Sequence, residues 1–255
     1  MTRLILLSGW GIDARIWQPL TSYWPDDIDV DTPDWPGYAN QGIDASAGET
    51  LTETLAPDDL AGLGRRMATE LPADSVWVGW SLGGLLACAL LAHLPPPRTL
   101  VILGMDARFC STEGVTPVEL TTFRRAFARN PEATWQHFLR WQLQGEPDPR
   151  TAYRRLLDLI GRQPSASRST LAAGLTQLAT LDVTHLLAAP PCSVLRMAGQ
   201  QDPLLSSASR VSVDITLSAT GHCPMLTRPD LLASRLVDIA RDDSDERSPG
   251  KEAAS

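Results

Sequence analysis

Between Val76 and Leu86 the chain reads Val-Trp-Val-Gly-Trp-Ser-Leu-Gly-Gly-Leu-Leu, and this run limits the fold more than any other feature of the sequence. A β-branched and aromatic stretch passes through Gly-x-Ser-x-Gly into an apolar stretch of helical composition, so a strand, a tight turn and a helix must follow one another here. A serine at such a turn sits on a strained backbone, and glycines two residues to either side remove the Cβ atoms that would collide. The helix beginning at Ser81 aims its free N–H groups and positive dipole end at whatever forms beside the hydroxyl. The pattern marks Ser81 as a nucleophile and the Leu82 N–H as half of a cradle for developing negative charge.

Around this run the rhythm is that of a mostly parallel sheet with helices on both faces, an α/β fold. Strands are expected at Leu4–Leu7, Ile28–Asp31, Val76–Val78, Thr99–Leu103, Cys192–Ala198 and Val211–Leu217. A helix is expected over Ala56–Leu71, where Leu60, Leu63 and Met67 share one face, and another from Ser81 to the stop at Pro95-Pro96-Pro97. From about 107 to 189 the strand rhythm gives way to helical patterns broken at Asn130-Pro131, Gly145 to Pro149 and Gln163-Pro164. The expected organisation is a core of residues 1–106 and 190–240, a helical cap inserted at 107–189, and a last helix from Pro229 to Ala240. Residues 241–255 are charged and small with no apolar period, and read as a frayed tail.

Composition removes several function classes. The longest apolar stretch, Leu82 to Leu94, falls short of the ~20 residues that cross a bilayer. The opening Met1-Thr2-Arg3 leads directly into the first strand, without a signal-like apolar region and cleavage site, so a cytoplasmic location is expected. A formal charge of −8 disfavours general nucleic-acid binding. Cys88, Cys110, Cys192 and Cys223 are widely spaced with no Cys-x-x-Cys pair, which fits free thiols better than disulfides or a metal site. No metal or cofactor is expected, and a monomer is.

A serine hydroxyl needs a base, usually a histidine oriented by a carboxylate. Of the four histidines, His93 lies near the end of a helix and His137 and His185 lie within or at the edge of the cap, whereas His222 follows a predicted strand in Ala219-Thr220-Gly221-His222-Cys223-Pro224. Asp202 follows the strand ending Met197-Ala198-Gly199, so its loop also opens at the carboxyl edge of the sheet, where ligand sites of α/β folds gather. Asp182 and Asp214 are poorer alternatives, one before a strand and one within it. The order Ser81, Asp202, His222 gives a catalytic triad, and the loop Ser8-Gly9-Trp10-Gly11 after the first strand supplies the second oxyanion donor, the Trp10 N–H. The Trp10 side chain is expected as an apolar wall or as core.

Gly9-Trp10-Gly11, Pro33-Asp34-Trp35-Pro36-Gly37-Tyr38, Gly79-Trp80-Ser81-Leu82-Gly83-Gly84, Gln201-Asp202 and Gly221-His222-Cys223-Pro224 together resemble the α/β-hydrolase superfamily over nearly the whole chain. Within it they resemble the methyl ester esterases that act on pimeloyl-acyl carrier protein in biotin synthesis, the BioH family. The resemblance implies an α/β-hydrolase fold with a helical cap, and a carboxylesterase that releases methanol. It also implies an acidic carrier protein as partner, held by cap arginines. Phe138-Leu139-Arg140-Trp141-Gln142 resembles the family's cap, with Phe109, Phe138 and Trp141 as expected lining of an acyl channel. Arg150 and Arg154 fall at carrier-contacting positions, on one helical face with Arg155 beside them. Three departures stand out: Ala133 and His137 occupy positions where the family carries arginines, Ser8 stands where many relatives have histidine, and the usual N-terminal strand pair is missing. The triad alone also fits a general small-molecule carboxylesterase with no carrier requirement.

Overall fold

The computed structural model describes residues 2–38 and 56–245. Six strands, β1 (Thr2–Leu7), β2 (Ile28–Asp31), β3 (Val76–Trp80), β4 (Thr99–Leu103), β5 (Ser193–Gly199) and β6 (Ile215–Leu217), form one sheet in the order β2-β1-β3-β4-β5-β6. Every pairing is parallel. β3 and β4 are buried along their whole length, which is why they read as continuous apolar runs and not as alternating ones.

The register aligns the carboxyl ends of the strands: Leu7 pairs with Gly79, Gly79 with Ile102, Leu103 with Met197, and Gly199 with Leu217. Backbone bonds carry this alignment past the strand ends, from Ser81 N to Leu103 O at 2.8 Å, Gly104 N to Met197 O at 2.8 Å and Gln200 N to Leu217 O at 2.9 Å. The loops after β1, β3, β4, β5 and β6 therefore leave from one edge. The strand order reverses between β1 and β3, so the chain diverges there and opens the crevice in which α/β sheets bind ligands.

Helix α1 (Leu60–Met67) starts later than its apolar spacing suggests, because Asp59 caps it by accepting from Gly62 N at 2.7 Å. Helix α2 (Leu82–Leu90) follows Ser81 directly and is buried throughout. Between β4 and β5 lie α3 (Pro117–Arg129), α4 (Pro131–Trp141), α5 (Pro149–Ile160), α6 (Arg168–Thr180) and α7 (Thr184–Ala188). The three expected breaks separate α3, α4, α5 and α6, and residues 181–183 separate α6 from α7. Asn130 ends α3 and caps α4, and Asp148 caps α5, each with proline at the first helical position.

The expected strand Val211–Leu217 is corrected. Its first residue ends a short helix, α8 (Ser207–Val211), and only Ile215–Leu217 joins the sheet. The Ser206 hydroxyl caps α8 through Ser209 N, Arg210 donates to the carbonyls of Asp202 and Leu205, and Val211 is 84% exposed. Local capping outweighs the β-branched alternation here, because residues 211–213 have no strand partner among the described residues. After α9 (Pro224–Thr227), α10 runs from Pro229 to Asp245, past the expected end at Ala240. Arg241, assigned to the tail, sits on this helix and pairs with Asp27 at 2.9 Å; residues 246–255 lie outside the described residues. A 3-10 segment, Ala14–Tyr23, has no counterpart in the sequence reading. Among the described residues no helix is long and apolar enough to cross a membrane.

Candidate active site

Ser81 sits between β3 and α2 with φ 56° and ψ −128°, a conformation that non-glycine residues adopt at a cost of roughly 1–3 kcal/mol. The strain follows from how closely strand and helix approach. A Cβ at Gly83 would lie 2.5 Å from Ser8 O and 2.7 Å from Leu7 O, and one at Gly84 would lie 2.7 Å from Gly79 O. Glycine is required at both positions for α2 to pack on the ends of β1 and β3. Gly9 of the first loop presses on the same point, since a Cβ there would fall 2.9 Å from Ser81 Cβ.

Asp202 and His222 meet across the ends of β5 and β6. His222 Nδ1 lies 2.7 Å from Asp202 Oδ2, and both side chains are fully buried. The other Asp202 oxygen accepts from Leu204 N at 2.9 Å, so both carboxylate oxygens have a defined donor. His222 Nε2 is buried and has no hydrogen-bond partner among the described residues. The other histidines, His93, His137 and His185, are exposed. Asp182 is exposed and bound to Thr184 and Arg108, which hold its carboxyl down at about 2, and Asp214 accepts from Arg196 N at 2.7 Å.

Three contacts around this pair have no signal in the sequence pattern. The Trp80 indole donates to His222 O at 2.8 Å, with its ring 5.3 Å from the imidazole. Gly104, at φ +66° after β4, brings the backbone against the dyad: a Cβ there would sit 3.0 Å from the imidazole and 3.1 Å from Asp202 Oδ2. Glu146, from the turn between α4 and α5, is buried and accepts from Cys223 N at 2.7 Å. Cys223 is no rival nucleophile: burial and the carboxylates of Glu146 and Asp202 push its thiol well above the ordinary range.

The loop Ser8–Gly11 faces the elbow. Leu82 N–H belongs to the first turn of α2, where N–H groups lack an intrahelical acceptor. Ser8, at the position the resemblance associates with histidine, leaves its buried hydroxyl unpaired. Aromatic side chains fix the loop instead. Trp35 Nε1 donates to Ser8 O at 2.9 Å, Trp135 Nε1 donates to Gly11 O at 2.8 Å, and Tyr38 Oη accepts from Gly11 N at 2.8 Å. Tyr38→Phe is expected to lower the unfolding free energy by about 1–3 kcal/mol, because it leaves a buried N–H without its acceptor. The denaturant midpoint measures this, and an unchanged midpoint would mean that Gly11 N–H finds another acceptor.

Trp10 is both core and wall. Its indole donates to Leu171 O at 2.8 Å, and its ring meets Phe123, Phe127 and Phe138 edge-on at 5.8, 5.8 and 5.1 Å. With Phe109, Phe138, Trp141 and Leu175 it lines a cavity of about 650 Å³ beneath α3 and α4. Ser81 and His222 do not line this cavity; Gly9, the residue before Trp10, packs close to Ser81. The Leu82 side chain faces a second, smaller cavity beside Trp35 and Tyr38. Ala133 and His137 lie one turn apart on α4 at the exposed edge of the large cavity. Gln142, buried one residue past α4, has an unpaired amide nitrogen. Arg150 and Arg154 are exposed on α5 and away from the cavity lining, Arg154 bonded to Thr151 Oγ1. Arg155 is turned aside to Leu226 O.

A strained serine between strand and helix, with a buried histidine–carboxylate pair on loops at the same edge of a parallel sheet, is the arrangement of an α/β hydrolase. Residues 4–235 match the model of the alpha/beta hydrolase family, and the chain belongs to that family. It is 26% identical over 253 residues to a pimeloyl-acyl-carrier-protein methyl ester esterase of Vibrio atlanticus, covering 93% of this chain and 94% of the relative. A protein of the same description from Klebsiella pneumoniae is 29% identical over 247 residues, covering 92% of this chain and 91% of the relative. An esterase from Exiguobacterium antarcticum superposes with a TM-score of 0.74 at 15% identity, over 94% of this chain and 92% of the other.

Proposed function

We propose that this protein is a serine carboxylesterase that hydrolyses the methyl ester of pimeloyl-acyl carrier protein in biotin biosynthesis, with Ser81, His222 and Asp202 as its triad. The observation that carries the catalytic reading is the buried His222–Asp202 pair, 2.7 Å apart, with the imidazole's other nitrogen unpartnered at the edge where Ser81 stands. Ser81 Oγ attacks the ester carbonyl while His222 Nε2 takes its proton. Asp202 holds the Nδ1–H tautomer and stabilises the imidazolium. The backbone N–H groups of Trp10 and Leu82 bind the oxyanion, each contributing a few kcal/mol. As the tetrahedral intermediate collapses, His222 protonates the departing methoxide, giving methanol and an acyl-Ser81 ester. A water deprotonated by His222 then attacks that ester, and Ser81 leaves with the returned proton. The free carboxyl product stays on its carrier.

The substrate reading rests on the relatives and on the cavity. Residues 107–189 act as the cap, and the channel walled by Trp10, Phe109, Phe138 and Trp141 suits a medium-length, uncharged acyl chain. Arg150 and Arg154 present positive charge outside it, suited to an acidic carrier. One observation favours a second reading. With Ala133 and His137 at the exposed edge of the channel, two cationic positions of the family are absent, as in a general carboxylesterase that takes free esters.

Methanol release separates the two. The kcat/KM for methyl-pimeloyl carrier protein is expected to exceed that for the same methyl ester free of the carrier, and to fall when Arg150 and Arg154 are both changed to Glu. Equal cleavage of the free ester would retain the triad and overturn the carrier-specific function.

A further inference from the structure

We propose that Glu146 is a positioning residue for the catalytic histidine, through which the helical segment carrying the acyl channel sets the geometry of His222. The inference rests on the reading of His222 as general base. Its basis is the single peptide group joining His222 to Cys223, which is pinned at both ends by buried side chains. The carbonyl accepts from Trp80 Nε1 at 2.8 Å, and the N–H donates to Glu146 Oε1 at 2.7 Å. This peptide group adjoins His222 Cα, so pinning it constrains the direction in which the imidazole leaves the backbone.

The turn that supplies Glu146 is wedged between the two loops of the dyad. A Cβ on Gly145 would run into Gln201 O, one residue before Asp202, and would lie 3.1 Å from Pro203 Cδ. A Cβ on Gly221, one residue before His222, would lie 2.7 Å from Gly145 C and 2.9 Å from both Glu146 N and Oε1. Backbone therefore packs on backbone along both loops, and the carboxylate reaches past this contact to the Cys223 N–H. Its second oxygen accepts from Thr227 Oγ1 at 2.5 Å, on α9, and so ties the residues that follow His222 to the same anchor. Glu146 N bonds back to Leu143 O at 3.0 Å, which joins the turn to the end of α4. That helix carries Phe138 and Trp141, whose rings wall the channel, so the seat of the acyl chain and the histidine loop share one rigid connection.

A buried carboxylate that only held the fold together would affect stability. One that aims His222 also affects the rate of proton removal from Ser81, and a misplacement of about 1 Å can cost on the order of 100-fold. The test uses a p-nitrophenyl alkylphosphonate, which esterifies Ser81 irrespective of the natural substrate, alongside steady-state hydrolysis of a short p-nitrophenyl ester. Glu146→Gln keeps an acceptor for the Cys223 N–H and an amide for the Thr227 hydroxyl, and is expected to label near the wild-type rate. Glu146→Leu fills the same space without an acceptor and is expected to label and turn over about 100-fold more slowly, with KM little changed. Glu146→Asp keeps the carboxyl group and withdraws the acceptor by one methylene; it is expected to slow in the same sense, and it reports the effect if the leucine variant does not fold. Wild-type labelling of Glu146→Leu or Glu146→Asp would overturn the proposal, as would a glutamine variant as slow as either. Failure of the wild-type protein to be labelled at Ser81 would instead overturn the catalytic reading beneath it.

Discussion

Replacing Ser81 by alanine is expected to lower kcat for ester hydrolysis by about a million-fold, while the unfolding midpoint stays close to that of the unchanged protein. The substitution removes one oxygen and no backbone group. Residue 81 keeps its bond to Leu103 O, and its φ of 56° is as accessible to alanine as to serine. The oxyanion donors stay in place, so a residual acceleration of roughly 1,000- to 10,000-fold over water is expected from them and from binding alone. Methanol release and a denaturation curve on the same preparation separate lost chemistry from lost fold. A variant with activity of the wild-type order would mean that the reaction does not run through Ser81, and would leave the His222–Asp202 pair as a structural feature.

What could be read from the sequence is what depends on local pattern. The elbow was legible because strand, glycines, serine and helix are contiguous, and the glycine spacing has a direct steric cause in the approach of Gly83 to Leu7 and Ser8. The fold class was legible because strands buried on both faces must be continuous apolar runs, as β3 and β4 are. Val211 misled because periodicity reports that residues alternate, not that a partner strand is present, and among the described residues no strand pairs with it. Glu146 and Gly104 carry no signal of their own, and Tyr38, although part of the Pro33–Tyr38 motif, does not show in the sequence what it bonds. Each acts on a residue far away in the chain, 77 positions away for Glu146 and Cys223 and 27 for Tyr38 and Gly11. A glutamate in a turn reads as solvated surface until the fold closes over it. Ser8 lay between the two cases: its departure from the family pattern was visible, but the aromatic clamp of Trp35, Tyr38 and Trp135 around its loop was not.

Asp202→Asn is expected to reduce kcat by about 10,000-fold with little change in KM, and the hydrogen bonds around Asp202 show why so small a change should cost so much. Its carboxylate receives two donors, Leu204 N–H on Oδ1 at 2.9 Å and His222 Nδ1–H on Oδ2 at 2.7 Å. An asparagine has one oxygen for the two. If that oxygen stays with Leu204, the amide NH₂ faces Nδ1, which must then accept. The proton moves to Nε2, and the nitrogen that should take the Ser81 proton is already protonated. If the amide flips, His222 keeps its tautomer but two N–H donors confront each other at Leu204 in a fully buried site, at a cost of about 1–3 kcal/mol for the unsatisfied group. The protein escapes that cost by adopting the wrong tautomer, so the loss falls on the rate and stability is largely kept. Because the missing function is deprotonation of Nε2, raising the pH should recover part of the rate through direct attack by the ionised serine. An Asp202→Asn enzyme with near wild-type kcat at neutral pH would show that the carboxylate does not set the tautomer of His222.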